Sequence, residues 1–259
     1  RDTIAIGRDG RLSGPELAGA LAAGIRAAGA NVVDLGMVAT PMTYFAANAL
    51  GTGCSTMVTG SHNPPDYNGL KMVIDDGTLS GAEIQALRER IERGDLRQGQ
   101  GSYRTPDIAS GYIDRIVADV KLARPLRIAI DAGKGVAGAF APTLFRRLGC
   151  EVVEMYCEVD GTFPNHHPDP TVLEYVKDLV AAVKTHRADV GIGYDGDADR
   201  VGTIDENGDM VFADKVLALL AREVLAKGPA QIVFDVKCSQ ALIEDIEAHG
   251  GTPLMWKTG

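Results

Sequence analysis

Cysteine, basic clusters and long apolar runs are all scarce in this sequence, and each shortage removes a class of protein. The four cysteines, Cys54, Cys150, Cys157 and Cys238, show no C-x-x-C spacing. That argues against a disulfide framework and fits a reducing, cytoplasmic setting. No secretory signal or membrane span is read from the pattern: the alanine-rich stretch 17–30 contains Arg26 and reads as an amphipathic helix, so no membrane partner is expected. A formal net charge of −9 without any basic run disfavours nucleic acid as a partner. An anionic ligand must then be met by local positive charge, for which Arg8, Arg11, Lys71, Arg200, Lys237 and Lys257 are the candidates. What the chain does have is apolar material, 45% of 259 residues against 24% charged, enough for cores in two or three domains.

The chain repeats itself. IAI at 4–6, IAI at 128–130 and IVF at 232–234 each open a strand, helix, strand unit. The helices end at Gly29, Gly149 and Gly250, where a left-handed residue is favoured, and second strands follow at 32–35, 152–155 and 252–256. Three related α/β domains are expected rather than one large sheet, with boundaries near Pro106 and Gly208, giving 1–106, 107–208 and 209–259. Apolar stripes at Leu17, Leu21 and Ile25, at Leu179, Val180 and Val183, and at Leu217, Leu220 and Val224 predict the buried helix faces. The polar stretch 94–104 reads as a solvated linker.

DGDADR, residues 195–200, carries acids at every other position after the mostly apolar run 188–194. In an extended backbone Asp195, Asp197 and Asp199 share one face, and like charges so close call for a cation between them. An oxygen-only set selects a hard ion, with Mg2+ the usual choice beside phosphate. Acids at the carboxyl end of a strand stand where α/β folds bind ligands. A calcium loop fits less well, since its sixth position needs Gly and holds Arg200, a better phosphate clamp.

TGSHNPPDYNGLK, residues 59–71, follows the apolar stretch 54–59 and places Ser61 at the exposed end of a strand. Pro64 and Pro65 stiffen the loop, and Asn68 with Gly69 allows it to turn before Lys71. A Ser61–His62 hydrolase reading is weak, because neighbouring side chains in an extended turn point apart and G-x-S-x-G is absent. His166 and His167, flanked by Pro164 and Pro168, are read as shaping a loop at a domain junction. His186 and His249 are read as lying near helix C-termini.

Together with FPNHHPDP at 163–170, GRDGRLSG at 7–14 and FDVKCS at 234–239, these two segments resemble the bacterial phosphomannomutase/phosphoglucomutase branch of the α-D-phosphohexomutases over essentially the whole chain. The resemblance implies tandem α/β domains with mixed sheets flanked by helices. It implies reversible phosphoryl transfer between O6 and O1 of mannose or glucose phosphate through a phosphoserine and a bisphosphorylated hexose. Ser61 would carry the phosphoryl group, and Asp195, Asp197 and Asp199 would hold one Mg2+ together with that phosphoserine. His62 and Lys71 would be acid/base and phosphate-positioning groups, with the Lys71 pKa lowered, and Arg200 would reach the phosphate. Lys237, Thr258 and Gly259 would meet the sugar phosphate. A monomer is expected by the same analogy.

The pattern also departs from the family. The family usually has Gly at the position of Ala198, a change the loop absorbs if Ala198 keeps a negative φ. The early tyrosine- and arginine-bearing segment, the end of the third domain and the fourth domain have no counterpart in this sequence, which implies poor turnover by the chain alone. Two alternatives differ in chemistry: a haloacid-dehalogenase-type phosphohydrolase with an aspartate nucleophile, and a non-catalytic module that binds metal or sugar phosphate.

Overall fold

The first repeat begins with strand β1 (Thr3–Arg8), helix α1 (Gly14–Ala27) and strand β2 (Asn31–Met37). Pro15 and Glu16 suit the first turn of α1, Arg26 suits its last, and Gly29 leaves it at φ 89°. Gly14, Ala18 and Ala22 are the residues that α1 buries, with Leu21 and Ile25 packed beside the two alanines, whereas Leu17 is exposed. Small side chains let the helix lie close to the sheet, so the expected stripe is rotated and Leu17 falls outside it. Helix α2 (Thr40–Ala49) and strands β3 (Ser55–Val58), β4 (Leu70–Ile74) and β5 (Gly77–Thr78) follow. Helix α3 (Ala82–Glu92) precedes strand β6 (Tyr103–Arg104), and the sheet runs β5-β4-β3-β1-β2-β6. The structure, a computed structural model, describes residues 2–75 and 77–258.

Stretch 94–104 is not a free linker. Its β6 pairs with β2, and the amides of Gly99 and Gly101 donate to the carbonyls of Ala27 and Arg26 at the end of α1. Composition could not reveal this, because backbone pairing at a sheet edge needs no apolar side chains.

After helix α4 (Ala109–Asp119), the second repeat comprises β7 (Arg127–Asp131), a single 3-10 turn Val136–Ala139, α5 (Ala141–Arg147), β8 (Glu151–Met155), α6 (Lys177–His186), β9 (Val190–Tyr194), β10 (Val201–Asp205) and β11 (Met210–Val211). Its order, β11-β10-β9-β7-β8, copies β5-β4-β3-β1-β2 of the first repeat. In each, three parallel strands are followed by an antiparallel hairpin. Leu179 and Val183 are fully buried against this second sheet, as their spacing predicts.

A third unit holds α7 (Ala213–Leu225), β12 (Gln231–Asp235), α8 (Gln240–Ala248) and β13 (Thr252–Trp256), with β12 and β13 parallel. Here the predicted stripe is wrong: Leu220 and Val224 are exposed, while Leu217, Ala221 and Leu225 pack inward. Helix α7 is apolar on two faces, and periodicity cannot say which one the sheet takes.

Candidate active site between the first two repeats

Two loops in equivalent positions of the repeats meet face to face. The β3–β4 loop carries Ser61, and the β9–β10 loop carries the aspartates. Ser61 adopts a left-handed φ of 51° and is held at both ends of its peptide unit. Its amide donates to Thr59 Oγ1 at 2.8 Å, and its carbonyl accepts from Arg11 Nη2 at 2.8 Å. The Thr59 hydroxyl donates in turn to Asp9 Oδ2 at 2.7 Å, and Arg11 Nε donates to the same oxygen at 3.2 Å, closing a ring.

The remaining guanidinium donors of Arg11 reach the carbonyls of Asn63, Pro64 and Tyr67. Arg11 is 1% exposed, so it is the rivet of the serine loop and not the ligand-facing cation that its charge suggested. Phe163 of the second repeat covers it, with the guanidinium carbon 5.2 Å from the ring centroid. Gly60 is required here, because a Cβ would stand 2.6 Å from Arg11 Cζ and 2.7 Å from the Tyr67 carbonyl. Sequence reasoning missed this role, since no short-range pattern marks a contact fifty positions away.

The acidic loop is a turn and not the extended segment its alternation suggested. Asp195 Oδ1 accepts the amides of Asp199 and Arg200, each at 3.1 Å, which curls the chain back. Ala198 takes φ 60° in that curl, so the condition of a negative φ, under which the loop would absorb alanine without strain, is not met. Curling gathers the trio by another route: one carboxylate oxygen from each of Asp195, Asp197 and Asp199 lies within 4.8 Å of the others. Asp195 and Asp197 are fully buried, and Asp199 stays partly open.

Ser61 Oγ donates to Asp195 Oδ2 at 2.8 Å, and the His62 Nδ1 lies 3.5 Å from the same hydroxyl. The left-handed serine thus turns its neighbour toward it, where an extended turn would point the two apart. Ser61 is also more covered than a strand-end position suggested, at 8% exposure, because the acidic loop lies against it. The more open members of the cluster are His62, Lys71, Asp199 and Arg200. Lys71, from β4, places its Nζ 2.6 Å from Asp197 Oδ2 and 2.6 Å from Asp199 Oδ2.

Burial and the Asp197 charge push the Asp195 carboxyl up to about 7. Burial acts to raise Asp197 as well, but donation from Lys71 and Thr40 holds it below the ordinary carboxylate range. For Lys71, desolvation would depress the ammonium, yet its two carboxylate partners raise the pKa in this pairing; the expected lowering belongs to a lysine that also stands beside Mg2+. His62 is lowered by burial and by Arg200, which favours the neutral imidazole.

The donor set fits a hard divalent cation. All its members are oxygens, the acids crowd one another, and Asp197 Oδ1 is buried with no hydrogen-bond partner. An aspartate nucleophile of the dehalogenase kind is not favoured: Asp195 already uses one oxygen on two amides and the other on Ser61.

Arg200 is exposed and contributes its amide to Asp195. Lys237 and Thr258 sit together on Asp235 in the third unit, at 3.1 Å and 3.2 Å, and among the described residues neither bonds to the Ser61 cluster. Gly259 lies outside the described residues. His166 Nε2 lies 2.9 Å from Asp131 Oδ2, so this histidine anchors the 163–170 loop to β7 of its own repeat.

A hydroxyl on one α/β domain facing an acidic cation trio on its structural twin defines a two-domain site suited to phosphoryl chemistry. Comparison with known proteins gives this class its family. The family models described as phosphoglucomutase/phosphomannomutase, alpha/beta/alpha domains I, II and III match residues 1–98, 110–208 and 212–259. A phosphomannomutase/phosphoglucomutase of Pseudomonas aeruginosa is 52% identical over 257 residues, covering 99% of this chain and 56% of that protein. A phosphoglucomutase of Neisseria gonorrhoeae is 50% identical over 259 residues, with 99% and 56% covered. The crystal structure of a phosphoglucomutase/phosphomannomutase family protein from Burkholderia thailandensis superimposes with a TM-score of 0.96 at 50% identity, covering 100% of this chain and 58% of that one. The chain belongs to the phosphoglucomutase/phosphomannomutase family, within the α-D-phosphohexomutases. It spans little more than half the length of the curated relatives it matches.

Proposed function

We propose that this chain carries the phosphoserine and metal-binding half of an enzyme that moves phosphate reversibly between O6 and O1 of glucose or mannose phosphate. The observation that carries the reading is the 2.8 Å hydrogen bond from Ser61 Oγ to Asp195 Oδ2 across two domains. In the forward step the phosphorus–Oγ bond of phosphoserine 61 breaks as a bond forms to a sugar hydroxyl. The hydroxyl proton passes to a base and the serine oxygen is reprotonated, leaving a bisphosphorylated hexose. The reverse step at the other hydroxyl returns a phosphoryl group to Ser61.

His62, kept neutral and 3.5 Å from Oγ, is suited to hold or release the proton there. Lys71 in its present pairing is a charged donor, and it can act as a base only once Asp197 and Asp199 turn to other partners. Arg200 is the open cation for the transferring phosphate, and Lys237, Thr258 and Gly259 are assigned to the sugar-phosphate side. A phosphoserine brings about −1.5 to −2 of charge. A single Mg2+, held by Asp195, Asp197, Asp199 and the phosphoserine, would neutralise charge on the transferring group.

The division 1–106, 107–208 and 209–259, a cytoplasmic location and a monomeric state are part of the same proposal. No helix among the described residues is long and apolar enough to cross a membrane. The test is intact-mass measurement after incubation with Mg2+ and glucose or mannose 1,6-bisphosphate. One added phosphoryl group, absent from Ser61→Ala, is expected; no addition, or equal addition to Ser61→Ala, refutes the reading.

A further inference from the structure

Helix α2 lacks a cap of its own. Its N-cap residue is Ala39, with no side-chain oxygen to receive the free amides of the first turn. The cap comes from the other repeat: the Thr40 amide donates to the Asp197 carbonyl at 2.9 Å. The Thr40 hydroxyl also crosses the junction, donating to Asp197 Oδ2. Thr40 is fully buried, and its own carbonyl is engaged by the Thr43 hydroxyl at 2.8 Å. Lys71 Nζ lies on that same Oδ2, so two donors from the first repeat converge on one oxygen of Asp197. The other oxygen, Oδ1, is buried and without a partner.

We infer that Thr40 is a positioning residue for the metal centre: by holding Asp197 Oδ2, it fixes the carboxylate so that Oδ1 is the oxygen left for a divalent cation. The inference rests on reading the trio as a cation site. A ligand carboxylate is oriented by what binds its second oxygen, and loss of such a support typically lowers metal affinity about 10–100-fold. The support comes from the N-terminus of α2, whose partial positive charge also favours the Asp197 carboxylate there. Cation affinity is thereby tied to docking of the first repeat on the second, since neither repeat alone both supplies and orients Asp197.

The test is titration of unphosphorylated protein with Mn2+ alone, followed by calorimetry, for wild type, Thr40→Val, Thr40→Ser and Asp197→Asn. Thr40→Val is expected to weaken Mn2+ binding about 10–100-fold, with Thr40→Ser restoring it. The Thr40→Val effect should vanish in an Asp197→Asn background. A merely structural tie would lower the metal-free melting temperature and leave the Mn2+ affinity of folded protein unchanged, and that result overturns the inference alone. Absence of saturable Mn2+ binding by wild type overturns the cation reading and the inference together. Thr40→Ala, smaller than the native side chain, gives the same comparison if valine prevents folding.

Discussion

Ser61 and Asp195 stand 134 positions apart in sequence and 2.8 Å apart in space, joined by a hydrogen bond between equivalent loops of two repeats. Each loop follows the third parallel strand of its sheet and leads into an antiparallel one. Duplication of one fold therefore supplies two strand-end loops, one bearing a hydroxyl and the other acids, and apposition of the two domains forms the site.

The closeness of that apposition depends on Gly196. A Cβ there would fall against the Ser61 carbonyl oxygen, a backbone atom with little freedom to move. Gly196→Ala should cost about 1–3 kcal/mol of stability in urea denaturation. It should also weaken Mn2+ binding, because the loops must part. Unchanged stability and binding would mean that the loops are not in contact in solution.

Arg11 is a buried cation whose donors are taken by Asp9 and four carbonyls of the serine loop. Arg11→Met removes the guanidinium from Asp9, which keeps only the Thr59 hydroxyl and the residue-11 amide, and takes its donors from those carbonyls, for an expected loss of about 3–5 kcal/mol in chemical denaturation. A loss below about 1 kcal/mol would place Arg11 among ordinary surface pairs.

Ala198 at φ 60° occupies a region costly for a side chain, by roughly 1–2 kcal/mol. Ala198→Gly relieves that strain but loosens the unfolded chain by about 0.4–1 kcal/mol. A net gain between about 0 and 1.6 kcal/mol is expected from thermal or urea unfolding. Destabilisation would contradict the left-handed assignment.

His166 supplies the pH prediction. Burial alone would lower its pKa, yet the Asp131 carboxylate and the His167 carbonyl hold it above the ordinary 6.5. A pKa raised on folding gives stability that is fully present below the unfolded value and lost as pH rises through the folded value. The stability advantage of wild type over His166→Gln should therefore be greater at about pH 5.5 than at about pH 8.5, measured by urea unfolding. An advantage that stays constant or grows with pH would contradict the Asp131–His166 pairing.

The strand and helix units were legible because glycines punctuate them: Gly29, Gly149 and Gly250 all have positive φ just beyond helix ends. Ser61 and the three aspartates were legible because their residue types are chemically demanding at those spacings. The curl at Asp195 was not, since side-chain acceptance of backbone amides overrides simple alternation. The roles of Arg11 and Thr40 were also hidden, because Arg11 reaches the serine-loop carbonyls, and Thr40 reaches Asp197, across 50 or more positions of sequence. The inward face of α7 depends on which of two apolar stripes meets the sheet, a matter of tertiary packing.

In the proposed reaction, the hydroxyl at position 61 works in partnership with a cation held by the acidic trio. Peptide mapping of protein incubated with a hexose 1,6-bisphosphate, with Mg2+ or with EDTA, tests it most directly. Acid-stable phosphate on Ser61, dependent on the divalent ion and strongly reduced in Asp197→Asn, is the predicted result. Acid-labile phosphate on Asp195, or labelling of Ser61 that is indifferent to both EDTA and Asp197→Asn, would contradict the account.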